Sequence, residues 1–178
     1  LNKYFRPSIE FSFILAFITA SIIFASIPLI DKLGFAQELT PIIKDYFFIT
    51  GFASFGGYLH CALKEYLQAH EIVLFPNILT IFCIFLNLGL NILFVFGCGI
   101  IPEMGAIGLA LASLVVRYFM GFVLLFYCVF YKKNYSENLG KKFNYIRYYK
   151  ELLRVGLPAS LAIIIEFVGF NAIAVIMG

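Results

Sequence analysis

The feature that most constrains this chain is a series of apolar stretches, each about as long as a bilayer is thick. They lie near residues 10–30, 43–63, 73–97, 105–131 and 155–178. A helix rises about 1.5 Å per residue, so about 20 apolar residues cross a hydrocarbon layer of about 30 Å. The stretches are continuous rather than alternating, which favours helices over strands. The sequence therefore predicts an all-α, polytopic membrane helix bundle with five transmembrane helices.

The composition supports the same class. Hydrophobic residues make up 62% of the chain and charged residues 13%, whereas soluble domains are about 45–50% apolar. We expect an integral membrane protein. The net charge of +3 comes mostly from one segment between the last two stretches, so we expect no nucleic-acid partner.

That segment, 132–154, orients the spans. It contains seven basic residues and two glutamates, so the positive-inside rule predicts that it is a cytoplasmic loop. Binding of anionic membrane lipid is the alternative for such a cluster. The basic residues are Lys132, Lys133, Lys141, Lys142, Arg147, Lys150 and Arg154.

Cysteine and histidine give no sign of a metal or haem site. The four cysteines show no C-x-x-C spacing, and His60 and His70 are too far apart for a helical metal pair. We therefore expect no cofactor. The chain also begins at Leu1 without an initiator methionine and has an odd number of spans, so we expect a fragment that needs the remainder of a larger protein.

Polar residues inside the apolar stretches are the candidates for function. Asn87 and Asn91 are four residues apart and share one face of the third helix. They fit either hydrogen bonds to a neighbouring helix or oxygen ligands for a small hard cation. On the fourth helix, Ser113 offers a hydroxyl, although such hydroxyls usually bond to their own backbone. Arg117 requires a partner, a wet cavity or snorkelling to the interface.

Glu166 is the acidic residue inside the fifth stretch. It lies roughly 16 Å from the start of that helix, near the middle of the hydrocarbon layer. Burial favours a protonated carboxyl, which fits a hydrogen bond to another helix. The same property suits a proton carrier, and a deprotonated carboxylate suits a cation site. Function is the stronger hypothesis for a carboxylate at this depth.

Several motifs in this order resemble multidrug and toxic compound extrusion (MATE) transporters. Asn87-Leu-Gly-Leu-Asn91 is followed by Gly97 and by a run from Pro102 to Ser113 that is rich in glycine and alanine. After the basic loop, Gly156-Leu-Pro158 precedes Glu166. The link Leu67-Gln68-Ala69, followed by Pro76, is also similar to the family pattern. The resemblance covers nearly the whole chain.

The resemblance implies helices three to seven of a twelve-helix transporter with two lobes. Residues 1–131 would form part of the amino-terminal lobe, 132–154 the loop between lobes, and 155–178 the first helix of the carboxy-terminal lobe. Asn87, Asn91 and Ser113 would line a cation or proton site with an aspartate on a helix beyond this chain. Ser113 stands where threonine is usual. Glu166 would be the coupling acid of the second lobe.

The implied function is multidrug efflux of small amphipathic organic cations in exchange for Na⁺ or H⁺, in a bacterial inner membrane, by a protein that is not an enzyme. One alternative is a lipid-linked oligosaccharide flippase of the same superfamily, for which more cationic residues in the cavity are expected. A polytopic membrane enzyme is the other, and it would need clustered His, Asp or Glu near one membrane face.

Overall fold

The computed structural model describes residues 4–32, 34, 36–97, 102–131, 148–154, 156–158, 160–161, 164–165 and 168. The chain divides into two compact units, Leu1–Gly140 and Lys141–Gly178. In the second unit the described positions are helical. Glu166 and most of the fifth predicted stretch lie outside the described residues.

In its described residues, the first unit is a bundle of four helices. They are α1 (Phe5–Ile30), α2 (Leu39–Ala69), α3 (Leu74–Phe96) and α4 (Gly105–Phe126), and α4 continues as a π-helical segment, Tyr127–Tyr131. Helix α1 packs against α2, α2 against α4, and α4 against α3. Helices α2 and α4 therefore form the centre of the unit. The prediction of an all-α membrane bundle is confirmed.

Three described helices are long and apolar enough to cross a membrane, namely Phe5–Ile30, Leu74–Phe96 and Gly105–Phe130. They agree with the predicted stretches 10–30, 73–97 and 105–131 to within a few residues at each end. Helix α2 covers the predicted stretch 43–63 and extends beyond it at both ends, but it is not among the three. Its buried face carries Gly51, Ser54 and Gly56. A helix packed between two others needs less apolar surface than one surrounded by lipid.

Glycines bring the backbones of α2 and α4 into direct contact. A Cβ atom on Gly56 would lie 2.8 Å from the backbone nitrogen of Tyr118 and 3.0 Å from the carbonyl carbon of Arg117. One on Gly121 would lie 3.3 Å from the carbonyl oxygen of Gly56. The Tyr118 hydroxyl also donates a hydrogen bond of 3.1 Å to the carbonyl oxygen of Phe52. Small residues permit such close approach, and van der Waals contact then drives association of membrane helices.

Polar contacts join α1 to the centre of the bundle. The hydroxyls of Thr19 and Tyr58 share a hydrogen bond of 2.9 Å. The hydroxyl of Ser54, which is buried, lies 3.5 Å from the carbonyl oxygen of Ala16 on α1, in addition to its hydrogen bond of 2.7 Å to Gly51 in its own helix. Lipid tails are as apolar as the side chains they contact, so apolar burial does not select one helix arrangement over another. Hydrogen bonds between helices contribute to that selection.

Two contacts fix the alignment of α3 with α4. Near the connection, the backbone nitrogen of Met104 donates to the carbonyl oxygen of Phe94 at 3.0 Å, and a Cβ on Gly108 would lie 2.6 Å from that same oxygen. At the far end, the rings of Phe75 and Tyr127 stack with centroids 4.2 Å apart. The two helices are therefore antiparallel and in contact along most of their length.

The glycine contact yields the first prediction. Leucine at Gly56 would force its side chain into the backbone of α4, and overpacking of this kind costs about 1–3 kcal/mol or prevents folding. We expect Gly56→Leu to lower the thermal unfolding midpoint of the purified full-length protein. The matched control is Gly89→Leu on α3, where an added Cβ would meet nothing within 4 Å. Equal midpoints for the two variants would contradict the packing described here.

Candidate functional site

An open groove of about 250 Å³ lies between α3 and α4. It gathers polar residues from both helices at the depth of the candidate spans. Its lining residues are Thr80, Cys83, Ile84, Asn87, Ser113, Val116, Arg117 and Met120.

Helical periodicity explains why these residues share one groove. Thr80, Ile84 and Asn87 follow one another at four- and three-residue spacing on α3, and Ser113 and Arg117 are four residues apart on α4. Residues at these spacings lie on one helical face. The sequence had identified Asn87, Ser113 and Arg117, but not Thr80 or Cys83. The spacing of Thr80 from Asn87 is the signal that could have found it.

The alignment of the helices sets the order of the polar groups. The contacts of Phe94 with Gly108 and of Phe75 with Tyr127 fix which residues of the two antiparallel helices lie opposite each other. By this alignment, Ser113 lies opposite Gly89, and Arg117 lies opposite Phe85. Asn87 therefore lies between Ser113 and Arg117 along the groove. The structure thus brings Asn87 of α3 together with Ser113 and Arg117 of α4, which the sequence could place only on two separate helices.

Asn87 and Asn91 are joined directly. Asn91 Nδ2 donates a hydrogen bond of 3.0 Å to Asn87 Oδ1. Asn91 Oδ1 is buried and accepts no hydrogen bond within the described residues. Asn91 is not among the residues that line the groove, so it acts on the groove by fixing the orientation of the Asn87 amide. The predicted common face of this pair is confirmed, while its role in cation binding stays a prediction.

Ser113 differs from several other hydroxyl residues of the bundle, which bond to their own helix. Ser12, Ser26 and Thr80 each donate to a carbonyl oxygen three or four residues earlier in their own helix. Ser113 makes no such bond within the described part of the chain. Its hydroxyl is half-buried and lines the groove, where it can donate to a ligand or accept from one.

Arg117 is an exposed cation in the middle of a candidate span. It is the thirteenth residue of the 26-residue span Gly105–Phe130. Two other cations of the first unit have carboxylate partners, since Arg6 contacts Glu10 at 2.7 Å and Lys44 contacts Asp31 at 2.7 Å. Within the described residues, Arg117 has no ion pair. A guanidinium at this depth requires a partner or a wet cavity, and within the described residues Arg117 lines the groove between α3 and α4.

The side chain of Arg117 also lies next to α2. A Cβ on Gly57 would lie 3.6 Å from Arg117 Cδ and 3.8 Å from Nη1, which is ordinary van der Waals distance. The side chain of Arg117 therefore passes next to α2 as well as along the groove. The close backbone contact at Gly56 fixes the level at which α4 carries this residue past α2.

No group of three His, Cys, Asp or Glu that could hold a metal ion occurs in the described ranges. Glu166 lies outside those ranges, so its predicted role as a coupling acid stays a prediction. The groove supplies amide and hydroxyl oxygens and one guanidinium, which suit reversible binding of small ions or polar groups.

Long apolar helices that carry polar side chains into one groove define an α-helical integral membrane protein. The chain belongs to the MatE family, whose family model matches residues 1–93. These residues include α1, α2 and most of α3 with both asparagines. The resemblance seen in the sequence is confirmed. Because MatE proteins are transporters, the alternative of a polytopic membrane enzyme is set aside.

Three curated relatives support the match. An uncharacterized transporter YisQ of Bacillus subtilis is 26% identical over 83% of this chain and 32% of its own length. Two probable multidrug resistance proteins NorM are similar at comparable coverage. The Acinetobacter baylyi protein is 24% identical over 84% of this chain and 34% of its own length. The Thermotoga maritima protein is 30% identical over 84% of this chain and 33% of its own length.

The chain spans about a third of the length of these relatives. No solved structure matches it.

The asparagine pair yields the second prediction. Asn87→Ala and Asn91→Ala each remove the same hydrogen bond, so the double variant should lose less stability than the sum of the single variants. We expect a coupling energy of about 0.6 kcal/mol, the average for side-chain hydrogen bonds between membrane residues. Equilibrium unfolding of the purified full-length protein in mixed micelles measures it. Strictly additive losses would show that the bond contributes nothing to stability.

Proposed function

We propose that the full-length protein is a secondary active efflux antiporter of the bacterial inner membrane, which exports amphipathic organic cations in exchange for Na⁺ or H⁺. The observation that carries the proposal is the groove between α3 and α4, where Asn87 and Ser113 from two helices face one space in a chain of the MatE family. The names of the NorM relatives support multidrug efflux.

Coupling requires only that the ion and the drug bind differently to two states of the protein. A cation bound at Glu166, or at Asn87, Asn91 and Ser113, favours one state by as much as its affinity differs between states. The drug favours the other. Alternating access follows when each ligand can reach the site from one side of the membrane only.

The charge of Arg117 limits how a cation can use the groove. Two like charges about 5 Å apart repel by about 3 kcal/mol at an effective dielectric constant of about 20. A coupling cation at Asn87 and Ser113 therefore needs a carboxylate nearby. The resemblance implies such an aspartate on a helix beyond this chain. Glu166 is the coupling acid that this chain itself contributes.

One observation favours a second candidate, the lipid-linked oligosaccharide flippase. Such a protein must hold an anionic pyrophosphate, and Arg117 lines the groove. This argument is weaker than the one for efflux, because a flippase is expected to have more cationic residues in its cavity. The three candidate spans that the structure describes contain two basic residues, Arg6 and Arg117. Arg6 is already paired with Glu10.

Efflux of a fluorescent organic cation from cells that express the full-length protein tests the proposal. Under an imposed Na⁺ or pH gradient, we expect Glu166→Gln to reduce gradient-driven efflux by at least about fivefold, because loss of one coupling charge removes a coupling free energy of about 1–3 kcal/mol. The gradient that drives efflux in the wild type identifies the ion.

The matched control for this experiment is Glu103→Gln, which makes the same chemical change at an exposed residue just before α4. It should behave like the wild type. Efflux that persists in Glu166→Gln would remove Glu166 from the coupling mechanism. No efflux from a well-expressed wild type would contradict the antiporter and favour the flippase.

Ser113 gives a separate prediction about the amino-terminal site. Its hydroxyl forms no hydrogen bond to its own backbone within the described residues, so its contribution should depend on the oxygen alone. We expect Ser113→Thr to retain efflux and Ser113→Ala to reduce it about three- to tenfold, as loss of one hydrogen bond of about 0.5–1.5 kcal/mol implies. Initial efflux rates at matched expression measure the effect. If threonine and alanine behave alike, the hydroxyl has no role in transport.

A further inference from the structure

The last turn of α4 departs from regular α-helical geometry. Helix α4 ends at Phe126 and continues as the π-helical segment Tyr127–Tyr131. A π-helix closes its hydrogen bonds over five residues instead of four, is rare, and is found mostly as a single turn, often at functional sites. The sequence of the segment, YCVFY, contains no proline or glycine, so these common causes of helix irregularity do not account for it.

The hydrogen-bond ladder changes its spacing at the start of this segment. The backbone nitrogen of Tyr127 donates to the carbonyl oxygens of both Val123 and Leu124, four and three residues earlier. The π-helical bonds that follow span five residues. Because the donor of Tyr127 is already shared between two acceptors, a small backbone displacement is enough to exchange one spacing for another without loss of a whole hydrogen bond.

Side chains fix the beginning of the segment against the neighbouring helices. The Tyr127 ring stacks on Phe75 of α3 with centroids 4.2 Å apart, and Cys128 is fully buried in the hydrophobic cluster that α2, α3 and α4 share. Phe130, by contrast, is 69% exposed, and its ring stacks on Phe126 of its own helix. A change of spacing after Cys128 would therefore leave the contacts with α2 and α3 in place.

The position of the segment in the chain gives such a change an effect beyond α4. The basic segment 132–154, which leads to the second unit, follows it directly. A π turn holds about one residue more than an α turn, so its conversion to α-helix would rotate the residues after it by about 100° around the helix axis. The side chain of Phe130 would then move by up to about 8 Å.

We propose that the π-helical segment is a register switch, which exchanges π and α hydrogen-bond spacing when the full-length transporter changes state. Tyr127 and Cys128 keep their contacts with the bundle, while the residues from Val129 onward rotate and turn the connection to the second unit. The inference goes beyond the proposed function, because it assigns a conformational role to a segment that does not line the groove. It requires two states of the protein but no particular ion or drug.

Distances between spin labels in the full-length protein test the switch. One label replaces Phe130 and the other replaces Phe13 on α1. The control pair joins Phe13 to Phe122, which lies in the α-helical part of α4. All three positions are exposed, and exposed cysteines such as Cys61 are replaced by serine. Distances are measured in lipid vesicles at high and low pH, with and without Na⁺.

We expect the Phe13–Phe130 pair to show two distances that differ by at least about 3 Å, as a rotation of the last turn implies. Their proportions should change between conditions, and the Phe13–Phe122 pair should show one distance. A single unchanged distance to Phe130 in every condition would overturn the switch. Equal changes in both pairs would also overturn it, because α4 would then move as one rigid helix.

Deletion of one residue tests whether the switch matters for transport. Removal of Val129 takes the extra residue out of the π turn, so the chain can continue as an α-helix. We expect this variant to show one Phe13–Phe130 distance and to export a fluorescent organic cation at least about tenfold more slowly, because a protein held in one state cannot complete its cycle. The control removes Asn134 from the loop 132–154, which shortens the connection equally, and should behave like the wild type.

The two measurements separate this inference from the proposed function. If the wild type exports no cation, the antiporter proposal fails, and the label distances alone decide on the switch. The thermal unfolding midpoint shows whether the protein without Val129 is folded, and if it is not, the wild-type distances again decide. Efflux at the wild-type rate from a folded protein without Val129 would overturn the switch.

Discussion

The backbone contact between α2 and α4 is the constraint on which the rest of the bundle depends. The carbonyl carbon of Arg117 and the nitrogen of Tyr118 lie against Gly56, so the one charged residue in the middle of α4 is placed at the tightest point between the two helices. Its side chain passes Gly57 of α2 at ordinary van der Waals distance and lines the groove toward α3. The close contact at Gly56 therefore affects both the packing of the helices and the position of Arg117.

Apolar burial alone could not hold these helices in register. Much of the surface of α1 and α3 consists of exposed large hydrophobic side chains, which lipid surrounds as favourably as another helix would. Orientation then depends on close backbone contact and on a few hydrogen bonds. Gly108 against Phe94 and the stacked rings of Phe75 and Tyr127 align α3 with α4, and this alignment places Asn87 between Ser113 and Arg117. A shift of one helical turn would remove the polar site.

The sequence predicted what depends on local spacing and length. The boundaries of α1, α3 and α4 follow from apolar runs, and the contact of Asn87 with Asn91 follows from their four-residue separation. It could not predict that α2 lies in the centre, because hydropathy measures what a helix carries and not which helices surround it. Nor could it place Ser113 beside Asn87, since that depends on inter-helix alignment. Arg117 was recognised as needing a partner, a wet cavity or snorkelling, and the bundle adds that within the described residues it lines the groove without an ion pair.

Under the proposed function, Arg117 also constrains the coupling ion. With this guanidinium present, a groove that held only a coupling cation would carry two positive charges in a medium of low dielectric constant, which is unfavourable. A carboxylate of the protein must therefore balance the charge when a cation binds, and the sequence resemblance implies an aspartate on a helix beyond this chain. Because this carboxylate cannot pair fully with Arg117 and with the cation at the same time, cation binding changes the charge that the groove presents to a drug. The differential affinity that exchange requires would then arise from the charge balance around Arg117.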